Sequence, residues 1–212
     1  AIDLRDFPEH TIDISTLSVD ELERVARFRL KEDGRRFGII RNHLRLLISA
    51  RLGIDPSAIN LTYGQYGKPE LAGLPPNVNG IQFNVSHSGT LALFAFSVHN
   101  AVGIDVEEIR TVSDADQLVS EVFSQAEKQS YRKLPAKLKS LGFFNCWTRK
   151  EAFVKALGFG FAYPLKSFDV SLGSDARILR IGIESDRALK WTMTSFFPLP
   201  HYVASVVTVC TK

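Results

Sequence analysis

A few acidic and basic side chains are spaced as chemistry would require. In Val102-Gly103-Ile104-Asp105-Val106-Glu107 a strand period of two puts Ile104 and Val106 on one face and Asp105 and Glu107 on the other. Carboxylates side by side repel unless a cation or solvent separates them. Magnesium takes hard oxygen ligands, only a few of them from protein, and leaves positions for water and phosphate. A solvated strand edge gives the same Asp-x-Glu pattern, so the pair alone does not decide. Further on, Trp147, Glu151 and Lys155 follow one another at i, i+4 along one helix edge. Glu151 and Lys155 are an acid–base couple one turn apart or a plain surface ion pair. Lys150 falls within the apolar stripe of Phe143, Cys146, Phe153, Val154 and Leu157, where a lysine must snorkel or enter a polar pocket.

Two stretches offer anion donors. Ser86-His87-Ser88-Gly89-Thr90 joins two apolar segments, Ile81-Gln82-Phe83-Asn84-Val85 and Leu91 to Val98, read as buried strands. Hydroxyls, a histidine and a glycine in such a turn suit an anion, and they equally suit an exposed turn. Tyr63-Gly64-Gln65-Tyr66-Gly67-Lys68-Pro69 is turn chemistry in which Lys68 is a candidate phosphate contact or a surface residue. Between Arg24 and Arg51 the bases Arg24, Arg27, Arg29, Lys31, Arg35, Arg36, Arg41, Arg45 and Arg51 face only Glu32 and Asp33. That run suggests contact with a polyanion, or the solvated face of a helix. Arg41 and Arg45, one turn apart, can share one anion.

The elements that must carry these residues are partly legible. Ser18 with Glu21 forms a capping box for a first helix, and Asp33-Gly34 is expected to break it. A second helix is predicted from about Arg36 to Leu52, ended by Gly53 and Pro56. A short strand is expected within residues 1–15, around Ile12 and Ile14, and a loop at 74–80. Ser124 and Glu127 repeat the capping box before a lysine-rich helix. The helix of residues 143–158 stops at Gly158, which is free to turn left-handed. Beyond it, Phe168-Asp169-Val170, Ile178 to Ile181, Lys190 to Phe196 and Tyr202 to Val209 alternate as antiparallel strands.

Composition excludes disorder as the main state: 45% of the 212 residues are hydrophobic and 23% charged. The net charge is +3 and the pI near 8.9, mildly basic. Cys146 and Cys210 are too few for a disulfide framework, and Cys146 reads as a small core residue. Neither a signal-peptide pattern nor a bilayer-length apolar run occurs, which predicts a reduced, cytoplasmic protein away from membranes. Phe28 and Phe37 are the aromatic residues within the basic run, short of the regular interleaving of a nucleic-acid binder, which is the weakest reading.

Gly103-Ile104-Asp105-Val106-Glu107, followed by Trp147-Thr148-Arg149-Lys150-Glu151-Ala152-Phe153-Val154-Lys155, resembles the paired signature of the 4′-phosphopantetheinyl transferases. Gly67-Lys68-Pro69, Phe83-Asn84-Val85-Ser86-His87-Ser88 and Phe123-Ser124-Gln125-Ala126-Glu127 resemble the further motifs of the surfactin-synthetase-type branch, although Arg149 stands where that branch often has a small residue.

The resemblance implies an α+β fold of two similar subdomains about a pseudo-twofold axis. Each would be a small antiparallel sheet packed with helices, residues 1–100 and 101–212, with the active-site cleft between them. It implies transfer of the 4′-phosphopantetheine arm of coenzyme A to a serine of an apo acyl or peptidyl carrier protein, by a monomer. Asp105, Glu107 and Glu151 would hold Mg²⁺, with Glu151 as base, Lys155 serving the leaving phosphate and Lys150 aimed into the cleft. Lys31, Arg36, Lys68, Ser86, His87 and Lys166 would hold the phosphates of coenzyme A. An Mg²⁺-dependent phosphohydrolase or a non-catalytic coenzyme A or carrier-binding module are the other readings of the same residues.

Overall fold

The computed structural model describes residues 1–7, 14–73, 80–112, 114–182 and 190–209, the side chain of Phe161 excepted. Ile12, Cys210 and all but Gly80 of the expected 74–80 loop lie outside them. In chain order the elements are β1 (Ile2–Asp3), α1 (Val19–Arg27), α2 (Lys31–Leu52), β2 (Asn60–Tyr63), β3 (Pro69–Ala72), β4 (Ile81–Ser88) and β5 (Leu91–Val98). There follow β6 (Val102–Glu108), α3 (Ala115–Val122), α4 (Gln125–Lys133), α5 (Lys139–Leu157), β7 (Phe168–Val170), β8 (Ile178–Ile181), β9 (Trp191–Phe196) and β10 (Tyr202–Val209).

The fold is α+β, built from two three-stranded antiparallel sheets ordered β1-β5-β4 and β6-β10-β9. Two small hairpins, β2-β3 and β7-β8, complete the pairing. Helix α2 covers the first sheet by packing Ile39, Ile40, Leu44 and Ile48 against Phe83, Ala92 and Phe94. Helix α5 covers the second, with Phe143, Phe153 and Val154 against Val203 and Val207. Burying each such side chain contributes ~1.5–3 kcal/mol. Leu91 and Leu93 of β5 meet Ile104 and Val106 of β6 and Tyr202 of β10, so a third apolar cluster joins the halves.

Both capping boxes form, at Ser18/Glu21 and Ser124/Glu127, and α5 ends at Gly158 with φ 80°. Asp33-Gly34 does not break a helix. Both residues lie inside α2, and the break falls at Phe28–Leu30. Glycine is needed at 34 because a Cβ there would lie 2.7 Å from the carbonyl oxygen of Val25, so the residue marks close packing of α1 on α2. The segment Ser86-His87-Ser88 is not a turn either. It continues β4, Ser88 pairs with Leu91, and only Gly89 (φ 54°) and Thr90 make the reversal. Helix α5 is buried around most of its circumference instead of along one stripe, since Asn145, Thr148, Arg149 and Lys150 are covered as fully as Phe153.

Candidate active site

Strands β4 and β6 lie side by side across the seam between the sheets, bridged by side chains of β4. Asn84 Oδ1 accepts the N–H of Ile104 (2.9 Å), Ser86 Oγ that of Val106 (3.4 Å) and Ser88 Oγ that of Glu108 (3.1 Å). The constant offset makes the two strands parallel. On the other face of β6, Gly103 lets α5 come close: a Cβ there would lie 2.1 Å from the carbonyl oxygen of Ala152 and 2.3 Å from the nitrogen of Ala156.

That approach brings Lys155 to Asp105. The Lys155 ammonium lies 2.6 Å from Asp105 Oδ1 and donates to Ser86 Oγ at 3.0 Å, and Ser86 Oγ donates to the same carboxylate oxygen at 2.8 Å. Asp105 is 4% exposed, and its other oxygen, Oδ2, is buried without a hydrogen-bond partner. Burial pushes the Asp105 pKa up against the pull of Lys155 and Ser86. Glu107, half-buried, accepts from Ser88 Oγ at 2.7 Å, and its pKa is raised by burial and by Asp105. The pKa of Glu151 is raised by burial, then by Asp105 and Glu107. The three carboxylates therefore feel one another's charge.

A hard cation suits this oxygen set, and the orphaned Asp105 Oδ2 is a position for one. The donors are not yet gathered: among the described residues no three His, Cys, Asp or Glu side chains converge on a metal position. Closure onto an ion at Asp105 Oδ2 requires the glutamates to swing in.

Glu151 and Lys155 line a cavity of about 240 Å³ together with Tyr66, Gly67 and Lys68 from the first half of the chain. Tyr66 packs its ring against Phe159, 5.7 Å between centroids. Lys68 donates to the carbonyls of Lys155 (2.9 Å) and Val102 (3.1 Å), so its ammonium ties the first half to the C-terminal end of α5. His87 is exposed, yet its pKa is lowered by burial in the surrounding protein and then by Lys155 and Arg36. Both cations thus act on the imidazole, and Asp105 and Asp33 oppose them more weakly.

Other residues expected at the site sit elsewhere. Lys150 does not aim into the cleft: it is fully buried, 2.9 Å from Glu127, and donates to the carbonyls of Leu165 (2.7 Å) and Phe168 (2.8 Å). Glu127 also accepts the N–H groups of Ser124 and Val170 (both 2.8 Å), so this pair locks α4, α5 and β7 together. Lys31 is exposed at the start of α2 and Lys166 on a 3₁₀ turn, and neither lines the cavity. The anion shared by Arg41 and Arg45 is the protein's own Glu21, at 3.3 and 2.7 Å. Arg27, Arg35 and Arg36 pair with Glu23 or Glu32, and Arg24 and Arg51 lie over Phe37 and Phe96, so most of the basic run is held internally. The Cys146 thiol is buried and its pKa raised by burial, as befits a core residue.

The sequence motifs contain Asn84, Ser88 and Gly103, but neither the bridging of β4 to β6 nor the close approach of α5 at Gly103 was read from them. The signal for the bridge was present as Asn84, Ser86 and Ser88, three short polar side chains at alternate positions of one strand. A larger cavity of about 380 Å³ lies across α5 from Glu151. Its charged lining residue, Arg149, is spent on Ser195, Ser171 and Gly173.

Residues 101–207 match the profile of the 4′-phosphopantetheinyl transferase superfamily, and residues 7–110 that of the 4′-phosphopantetheinyl transferase N-terminal region. The chain belongs to the 4′-phosphopantetheinyl transferase superfamily. It is 38% identical to the 4′-phosphopantetheinyl transferase HetI of Nostoc sp. (strain PCC 7120) over 91% of this chain and 78% of that protein. It is 34% identical to the 4′-phosphopantetheinyl transferase Sfp of Bacillus subtilis (strain 168), over 78% and 70% of the two chains. Among solved structures, the holo-[acyl-carrier-protein] synthase of Thermotoga maritima is similar over 53% of this chain and 64% of its own, at TM-score 0.40 and 18% identity. Among the described residues no helix is long and apolar enough to cross a membrane.

Proposed function

We propose that this protein transfers the 4′-phosphopantetheine arm of coenzyme A to a serine hydroxyl of an apo acyl or peptidyl carrier protein, releasing adenosine 3′,5′-bisphosphate. The observation that carries the reading is Glu151 and Lys155 lining a cleft contributed by both halves of the chain, beside Asp105 with a free, buried carboxylate oxygen. The boundary between the halves is proposed near Asn100, since β5 ends at Val98 and β6 begins at Val102. The protein is read as a cytoplasmic monomer.

The serine oxygen attacks the phosphorus that carries the pantetheine arm. The bond from that phosphorus to the bridging oxygen breaks, and the serine proton must leave. Glu151 takes that proton, for which its raised affinity for protons suits it. Lys155, one turn away, neutralises the departing phosphate once its hold on Asp105 is exchanged for one on the substrate. Asp105, Glu107 and Glu151 would hold Mg²⁺, which would supply positive charge that draws electron density from the attacked phosphorus. His87 and Arg36 hold the 3′-phosphate, supported by the action of Arg36 and Lys155 on the imidazole. Lys31, Lys68, Ser86 and Lys166 are auxiliary phosphate contacts in this reading, with Lys68 and Ser86 needing to exchange present partners. Lys150 supports the site from within the core.

Intact-mass spectrometry of an apo carrier protein with this protein, coenzyme A and Mg²⁺ tests the proposal. A gain of one phosphopantetheine, absent with EDTA and absent with the carrier serine changed to alanine, is expected. Hydrolysis of coenzyme A with no carrier gain, across several carriers, would replace transfer by phosphohydrolysis. Binding of coenzyme A with neither outcome would leave a binding module.

A further inference from the structure

Strands β4 and β6 belong to different sheets, and the side chains of Asn84, Ser86 and Ser88 bridge the seam in place of a main-chain ladder. Two of these residues do more than satisfy backbone donors. A hydroxyl has one proton to give and two lone pairs with which to accept. Ser86 Oγ accepts from Val106 N–H and from Lys155, and spends its proton on Asp105. Ser88 Oγ accepts from Glu108 N–H and spends its proton on Glu107 Oε2 at 2.7 Å. In each case the backbone bond fixes the hydroxyl, and the hydroxyl then fixes the carboxylate of the preceding residue on β6.

We infer that Ser88 is a positioning residue for Glu107: it anchors one carboxylate oxygen and so restricts where the other can reach. The first half of the chain thereby sets the orientation of a cation ligand belonging to the second. Glu107 is half-buried, and among the described residues no lysine or arginine forms an ion pair with it, although Lys155 and Arg110 act on it from a distance; without Ser88 its side chain recovers rotamer freedom that cation binding must remove again. The inference rests on the reading of Asp105, Glu107 and Glu151 as the cation set.

Outer hydrogen-bond partners of metal ligands are commonly worth about 10–100-fold in affinity. Mn²⁺ affinity measured by the free-ion EPR signal, without coenzyme A or carrier, reads this directly. Ser88→Ala is expected to weaken Mn²⁺ binding about 10-fold while circular dichroism stays unchanged. Ser88→Thr, which keeps the hydroxyl on a strand that tolerates β-branching, should restore it. Turnover of Ser88→Ala should recover at saturating metal. In a Glu107→Ala background the further change of Ser88 to Ala should have no effect on Mn²⁺ affinity. Ser88→Cys, a weaker donor of similar size, covers the case in which the alanine variant does not fold and should fall between. Unchanged Mn²⁺ affinity in folded Ser88→Ala or Ser88→Cys, with Glu107→Ala impaired, would overturn the inference alone. Undiminished Mn²⁺ binding in Glu107→Ala would overturn the cation reading beneath it.

Discussion

The Lys155 ammonium lies 2.6 Å from Asp105 Oδ1, while the buried Asp105 Oδ2 meets no donor. One carboxylate oxygen is thus neutralised by the protein and the other left for something else. The arrangement couples the two halves, because Ser86 of β4 completes the triangle from across the seam.

Replacing Lys155 tests what that ammonium does. Lys155→Ala should lower turnover by about 10²–10⁴-fold, the range for loss of a group acting on charge or protons in the transition state. Coenzyme A affinity should change much less than turnover. Single-turnover mass spectrometry beside equilibrium binding separates the two, and a loss confined to affinity would make Lys155 a mere binding residue.

Lys150 makes the opposite prediction. Its partner Glu127 is 2% exposed, so Lys150→Met leaves a buried carboxylate without its cation, which costs about 3–5 kcal/mol. At roughly 2–4 °C per kcal/mol for a chain of this size, the melting temperature should fall by about 6–20 °C. Adding Glu127→Gln should recover part of the loss by removing the orphaned charge. Turnover at temperatures where the single variant is folded should remain within a few-fold of the starting protein; a turnover loss without a stability loss would return Lys150 to the chemistry.

Much of this was legible in the sequence because it depends on local pattern. Ser18/Glu21, Ser124/Glu127 and Gly158 are short-range signals, and Asp105 with Glu107 follow from a strand period. Two misreadings share a cause. Lys150 reads as aimed into the cleft and Arg41 as free for an anion because Glu127 and Glu21, which hold them, are remote in sequence. Gly34 reads as a breaker because the packing of α1 on α2 that requires it is tertiary, and Ser86 to Ser88 as a turn because polar residues continue β4 up to a tight reversal at Gly89 and Thr90. Polar groups satisfied over a long range look like free ones in a sequence.

His87 should make coenzyme A binding depend on pH. Burial first, and then Lys155 and Arg36, hold its pKa below the ordinary 6.5, so the free protein carries a neutral imidazole at pH 7. A phosphate beside it favours the imidazolium and raises the pKa in the complex. The raised state is the bound one, so binding takes up a proton and affinity strengthens as pH falls through the bound-state pKa toward the free-state pKa, then levels. Calorimetry at pH 8, 7 and 6 in buffers of different ionisation enthalpy would register the proton. Proton uptake should vanish in His87→Gln; uptake that persists there would assign the coupling to another group.

Gly103 is where packing sets chemistry. The strand must lie against α5 closely enough for Lys155 to reach Asp105, and a methyl at 103 would lie 2.1 Å from the Ala152 carbonyl oxygen and 2.3 Å from the Ala156 nitrogen. Both are backbone atoms of a helix buried on most sides, so neither can swing away as a side chain would. Gly103→Ala must push α5 off β6, with a cost in the overpacking range of about 1–3 kcal/mol. Because Lys155 lies on the same turn as Ala152 and Ala156, the push lengthens the Lys155–Asp105 contact and shifts Glu151 with it. Turnover should therefore fall at least 10²-fold, the order reached when a shift of about 1 Å misplaces reacting groups. Thermal unfolding together with turnover decides the matter. A variant that loses stability and keeps its rate would show that α5 can slide along β6 without disturbing the site.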